Sequence, residues 1–423
     1  MTETDDASAR RRGAADNRGG WAKPLHYGYV TGPLIGFLWT FTVATTVAIA
    51  VSFLTGGSFR PSGLSSLVLG AALGIAALKL SPLSLGLAAV AATGLTMAAG
   101  IGPVVSGGSD VIPFVLAVVG TGLGIAAGLW KMLRGVRPGA LTRHEFEAAV
   151  IRFMAGFGYI FFTVIVAVPF YVMVMTSLKN QQQLVANPLD FSLDFSQGWG
   201  LFDSYVELIT KFNFGAYLWT SFYISVLTVL LTLAFSVPGA YAVARLRFRG
   251  RAAFSRSILL IYMVPMIVLA LPIYIAYSMV GLRNTIFGIV LIYPVTTIPV
   301  ALYMLQGYFR GLPAEVEEAG LMDGLSRLQV IWKITLPLSL PALASVSLYV
   351  FMIAWNEFLL AFMLLDDPSK FTLTRGIASL NSSEIPRQHL MAGSVIATLP
   401  IMAIFLGLER FMTKGLTAGS VKG

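Results

Sequence analysis

The sequence predicts an all-α polytopic membrane protein, and three observations lead there. Mean hydropathy is +0.78 with only 12% of residues charged, which excludes an ordinary soluble domain. Long apolar runs recur along the chain, each near the roughly 20 residues that one helical crossing of a ~30 Å hydrocarbon core requires. They are too long and too continuous for barrel strands, which would be about ten residues of alternating character.

Taken in order, residues 1–28 are polar, rich in Arg and Gly, and read as a disordered cytoplasmic tail. Ten apolar stretches follow, at 32–54, 63–80, 83–106, 111–130, 155–177, 217–244, 257–280, 285–306, 338–364 and 390–409. The first is too long for a cleavable signal h-region and has basic residues before it, so it reads as a retained anchor. The first four make an accessory four-helix membrane region, 29–130, nearly free of charge. Its Gly70, Gly74, Gly94, Gly100, Gly120, Gly122, Gly124 and Gly128 permit close helix approach, either within the bundle or against another membrane subunit. A basic cytoplasmic connector, 131–153, contains Pro138-Gly139 and marks the module boundary before a six-span core, 154–423.

Within the core, Pro169, Pro238, Pro265, Pro272, Pro294 and Pro299 each remove a backbone donor, so kinks or breaks are expected. Disturbed backbone at membrane depth is tolerated where it is packed in protein or lines a water-filled path. An outer loop, 178–216, carries Trp199, Phe202, Tyr205, Phe212 and Phe214, which either pack onto the loop's own span ends or face a soluble partner.

Charge sets the orientation. With a cytoplasmic N-terminus, 22 of the 29 Lys and Arg fall on inner segments and 7 on outer ones, as the positive-inside rule requires. Both termini are then cytoplasmic. The densest cluster, Arg245, Arg247, Arg249, Arg251 and Arg256, reads as a topology anchor against anionic lipid head groups rather than as a nucleic-acid site.

The most informative segment is a polar island at 311–337, between two apolar spans. Glu315, Glu317 and Glu318 suit the first turn of a short helix, Asp323-Gly324 signals a turn, and a second helix runs from Ser326 to Thr335 until Pro337 interrupts it. The product is a helix-turn-helix outside the bilayer, shaped to enter a groove on a soluble partner.

The pattern Glu318-Ala319-Gly320, three residues, Gly324, then Leu336-Pro337 resembles the EAA loop of ABC-importer permeases. With Trp355-Asn356-Glu357-Phe358 and the ending Lys414 to Gly423, residues 154–423 resemble the smaller permease subunit of maltose-type carbohydrate importers. The resemblance implies a six-helix type I importer core preceded by about four extra transmembrane helices, in a bacterial inner membrane. It implies that Glu317, Glu318, Ala319, Gly320, Asp323, Gly324, Leu336 and Pro337 couple the chain to an ATPase, with Glu318 pairing a basic residue there. Gly320 departs from the family's usual Ala and softens the helix by about 1 kcal/mol. The tail residues Gly415, Leu416, Thr417, Ala418 and Gly419 are implied to reach the ATPase dimer. A second permease subunit and a periplasmic or lipid-anchored solute-binding protein are the other implied partners, besides membrane lipid and the carbohydrate substrate, an oligosaccharide or glycoside.

Chemistry within the chain is sparse. No Walker A sequence occurs, so ATP is expected on partner subunits and the chain carries no cofactor of its own. There is no cysteine, and His26, His144 and His389 are far apart, so neither a metal site nor a catalytic cluster is expected. Glu357 is the one acid well inside a proposed span, and with Trp355 and Asn356 it forms a candidate pathway lining, or a residue paired within the bundle. The alternative function, an ion-coupled secondary transporter working without an ATPase, calls for buried paired ionisable groups at the midplane, and Glu357 stands alone.

Overall fold

A computed structural model of the chain describes residues 24–107, 110–187, 192, 195–382 and 384–417. Most of the proposed N-terminal tail therefore lies outside the described residues. The chain divides into two compact units, residues 1–175 with 182–196, and residues 176–181 with 197–423.

The first unit holds α1 (Gly28–Thr55), α2 (Gly63–Ala77), α3 (Pro82–Ala98), α4 (Val111–Leu133), most of α5 (Arg143–Ser177), and the short α6 (Gln181–Ala186). Strands β1 (Phe59–Pro61) and β2 (Val104–Ser106) pair antiparallel, with Arg60 opposite Val105. Two expected spans are shorter than the sequence suggested. The run 63–80 gives a 15-residue helix and 83–106 a 17-residue helix followed by a strand. At 1.5 Å per residue these reach roughly 22–26 Å, short of a full crossing. The left-handed Gly100 (φ 74°) turns the chain after α3, and hydropathy alone cannot distinguish the apolar strand beyond it from more helix. The expected basic connector is also mostly helical, leaving 134–142 as the non-helical link.

Glycine determines how this unit packs. A Cβ on Gly36 would lie 2.1 Å from the Gly70 carbonyl oxygen, and one on Gly74 would lie 2.2 Å from that of Gly32. The α1–α2 crossing therefore runs backbone on backbone. Gly128 lies under the Trp39 indole, whose Nε1 donates to the Gly124 carbonyl at 3.0 Å, and Gly122 accommodates Val90. Most of the glycines offered as a possible docking surface are thus used inside the unit. Trp39, Leu85, Ile125 and Leu129 fill its core.

The second unit contains α7 (Asp203–Lys211), α8 (Phe214–Arg245), α9 (Arg251–Tyr262), α10 (Met266–Met279) and α11 (Ile286–Gly311). These are followed by α12 (Ala314–Met322), α13 (Arg327–Leu338), α14 (Leu340–Asn356), α15 (Leu359–Leu364), α16 (Leu373–Ser379) and α17 (Arg387–Thr417). Pro265 splits the span expected at 257–280 into α9 and α10, whereas Pro169, Pro238, Pro272, Pro294 and Pro299 sit inside continuous helices. The span expected at 338–364 likewise breaks at Glu357. Among the described residues six helices are long and apolar enough to cross a membrane, or seven if α13 and α14, bent by 78°, count as one. The expected stretches at 63–80, 83–106 and 257–280 instead contain the shorter apolar helices α2, α3 and α10.

Helix α8 packs on α11 and carries a buried row of hydroxyls, Ser221, Ser225, Thr228, Thr232 and Ser236, of which Thr232 and Ser236 meet α11 and Ser221 accepts from Leu373 N. Thr232 shares a 2.6 Å hydrogen bond with Thr297, beside the Pro299 turn. Small polar side chains of this kind let membrane helices approach closely. In the segment expected to form the outer loop, the Tyr205 hydroxyl meets Ser177 at 2.6 Å and Phe214 is fully buried, while Trp199 stays exposed.

Candidate functional site

The polar island folds as two helices joined by a tight turn. Helix α12 follows Pro313 and carries Glu315 and Glu317 in its first turn. It ends in a paired closure: Leu325 N donates to the Gly320 carbonyl and Gly324 N to that of Leu321, both at 3.1 Å. This 6→1 and 5→2 pattern requires a left-handed residue, and Gly324 supplies it at φ 85°. Helix α13 opens at once with a capping box, in which Ser326 N donates to Gln329 Oε1 at 2.8 Å and Gln329 N to Ser326 Oγ at 3.4 Å. Pro337 does not end this helix, which reaches Leu338. Instead Ile331–Thr335 widens into a π-turn ahead of it, and the chain bends at Ser339 into α14.

The two faces of α12 differ. Glu317 is 6% exposed, and its carboxylate is shared three ways: Tyr241 Oη donates to Oε2 at 3.2 Å, Thr335 Oγ1 donates to Oε1 at 3.0 Å, and Arg245 Nε lies 3.4 Å from Oε1. Arg245 Nη2 also donates to the Leu312 carbonyl at 2.7 Å. One acid thereby ties α12 to the end of the transmembrane helix α8 and to α13. Gly320 is inward as well, and a Cβ there would come within 2.5 Å of Ile334 Cδ1, so the departure from alanine suits close packing of the two helices. Glu318, Ala319, Asp323 and Gly324 face outward, joined by the exposed Met322, Leu328 and Trp332.

Sequence reasoning grouped Glu317 with the outward residues and assigned Arg245 to topology alone; Tyr241 and Thr335 were not singled out. The available signal was the pairing of two adjacent acids with an arginine at the end of a span. Leu336 is half-buried and Pro337 exposed at the base of α13.

The other predicted residues lie elsewhere. Trp355 is buried, its Nε1 donating to the Ala397 carbonyl at 3.2 Å, while Asn356 is exposed and donates to the Met352 carbonyl. Glu357 ends α14 and accepts from the backbone N–H groups of Leu360 at 2.8 Å and Ala361 at 3.1 Å, capping α15. The three residues therefore do not share one face. Gly415, Leu416 and Thr417 form the last turn of α17, and Ala418 and Gly419 lie outside the described residues. Among the described residues no three His, Cys, Asp or Glu gather where a metal could bind.

The family model for the "Binding-protein-dependent transport system inner membrane component" matches residues 236–417, a range that includes the whole helix-turn-helix. The inner membrane ABC transporter permease protein YcjP of Escherichia coli K12 is 38% identical over 269 residues, covering 63% of this chain and 95% of YcjP. The chain belongs to this permease family. The trehalose/maltose transport system permease protein MalG of Thermococcus litoralis is 34% identical to the permease over 281 residues, covering 66% of this chain and 99% of MalG. Among solved structures, a chain of a bacterial ABC transporter that imports alginate superposes with a TM-score of 0.53 at 24% identity. That match covers 64% of the permease and 98% of the solved chain, and it shows the shared fold.

Proposed function

We propose that this carbohydrate-type ABC permease forms half of a transmembrane pathway for an oligosaccharide or glycoside, driven through the helix-turn-helix 314–338. The observation that carries the reading is the division of α12: Glu317 and Gly320 turned inward toward α8 and α13, with Glu318, Ala319, Asp323 and Gly324 presented outward. The outward face enters a cleft on a cytoplasmic ATPase dimer, where Glu318 meets a basic residue. When the dimer closes around ATP, the load passes through Glu317 and Arg245 to the end of α8 and through Thr335 to the bent α13–α14 pair. Both helices then tilt, and access alternates.

A second permease subunit completes the pathway, and a periplasmic or lipid-anchored binding protein delivers the sugar. Similarity to a trehalose/maltose permease supports a glycoside substrate. ATP is bound by the partners, and the chain itself is non-catalytic. Both termini are cytoplasmic in the bacterial inner membrane.

The test is Gly324→Trp. The position sits at φ 85° in open space, so a tryptophan both strains the turn by about 1–3 kcal/mol and fills the seat. The variant should insert and assemble yet lose stimulated ATP hydrolysis and uptake. Normal transport by it would defeat the coupling reading.

A further inference from the structure

Beside the coupling helix, a cavity of about 790 Å³ opens between the chain segment 244–251 and α12. Arg245, Arg247, Arg251 and Arg327 line it, against only two carboxylates, Glu317 and Glu318. Four guanidinium groups against two carboxylates leave the lining net positive, and Glu317 is already engaged by Tyr241, Thr335 and Arg245. Arg251 closes the end of α8, its Nε donating to the Val243 carbonyl at 2.7 Å and its Nη2 to that of Ala244 at 3.0 Å. Arg245 Nε is buried and, despite its 3.4 Å approach to Glu317, has no hydrogen-bond acceptor. A buried donor without an acceptor is costly unless something else accepts from it. Arg247 is exposed, and the neighbouring Phe248 presents an exposed ring between Arg247 and Arg249.

The geometry points to a phosphate-binding site in this cavity. A phosphate offers several oxygens and one or two charges to guanidinium forks, whereas a single carboxylate satisfies one fork. The alternation of arginine and phenylalanine where a span ends suits an anionic phospholipid, whose head group would enter the cavity while its chains stay with Phe248. A free phosphate or phosphorylated metabolite carries the same chemistry. Occupancy would brace Arg245, and through it the joint between α8 and α12. The inference rests on the proposed cytoplasmic placement of the helix-turn-helix.

The full-length chain is purified without its ATPase from membranes containing phosphatidylglycerol and phosphatidylcholine, and retained lipid is counted by native mass spectrometry. Wild type should keep phosphatidylglycerol selectively, and Arg247→Ala with Arg327→Ala should lower retention roughly tenfold or more. The Arg247→Lys, Arg327→Lys pair keeps the charge but loses the forks, and should recover only part of that binding, which separates ligand loss from misfolding. If inorganic phosphate binds the wild type, is weakened by the same alanines, and no lipid is retained, the site stands with a soluble occupant. Equal lipid retention by wild type and the alanine pair, together with no phosphate binding, overturns it. Because no ATPase is present, that failure leaves the coupling reading intact, and normal transport by Gly324→Trp would leave this site intact.

Discussion

Glu317 and Glu318 are neighbours in sequence, yet one shares its carboxylate among Tyr241, Thr335 and Arg245 while the other faces outward. Their substitutions should therefore separate. Glu317→Ala strands a nearly buried guanidinium, a class of change that costs about 3–5 kcal/mol. It should lower the thermal unfolding midpoint of the purified permease. Glu318→Ala touches no internal partner and should stay within about 0.5 kcal/mol of wild type in the same melt, while sharply reducing ATPase stimulation. The reverse ordering would sink the division of α12 into an anchoring face and a docking face. Much of this site was legible in the chain. Asp323-Gly324 marked the turn and Ser326 the start of α13, because capping chemistry is local and depends on few residues. The Glu317 network was only faintly legible: two adjacent acids and an arginine ending a span were visible, but Tyr241 and Arg245 lie more than seventy positions away and spacing alone does not pair them with Glu317.

At the level of helices, hydropathy located the apolar runs but not their breaks. Residues 83–106 read as one span because Ile101, Pro103, Val104 and Val105 are apolar, although Gly100 has already turned the chain toward a strand. The same limitation hid which glycines were structural. Gly36→Leu would drive a side chain into the Gly70 carbonyl and should cost at least the 1–3 kcal/mol typical of overpacking, read as lower membrane yield and faster proteolysis. Gly86→Leu, where a Cβ meets nothing within 4 Å, should be tolerated in the same assay. Glu207 joins α7 to α17 by meeting His389 Nε2 at 2.7 Å, and also accepts from Lys211 Nζ of its own helix at 2.7 Å. The hydrogen bond from Lys211, and next that from His389, holds the Glu207 carboxyl below its ordinary range. A depressed carboxylate pKa contributes stability above its unfolded value of about 4.3, lost as pH falls through the folded value. Protection of α7 against hydrogen exchange, taken relative to the intrinsic rate at each pH, should therefore fall only below the unfolded value of about 4.3, and Glu207→Gln should abolish that step.

For the molecule as a whole, the fold class followed from composition because a bilayer leaves a long apolar chain few other choices. The number of crossings did not, since the 15- and 17-residue helices α2 and α3 fall between a full span and a shallow dip. Deleting residues 29–130 should leave a reporter fused after residue 256 in the cytoplasm; a periplasmic signal would overturn the assigned orientation. Reconstituted alone in vesicles, the chain should accumulate no sugar, and uptake under those conditions would remove the need for an ATPase. The two short helices come as a couple, so whether both traverse the lipid or both turn back within it, the parity of crossings stays even. A segment with that property can be spliced onto a transporter, or lost from it, in a single genetic event, because everything downstream keeps its original sidedness.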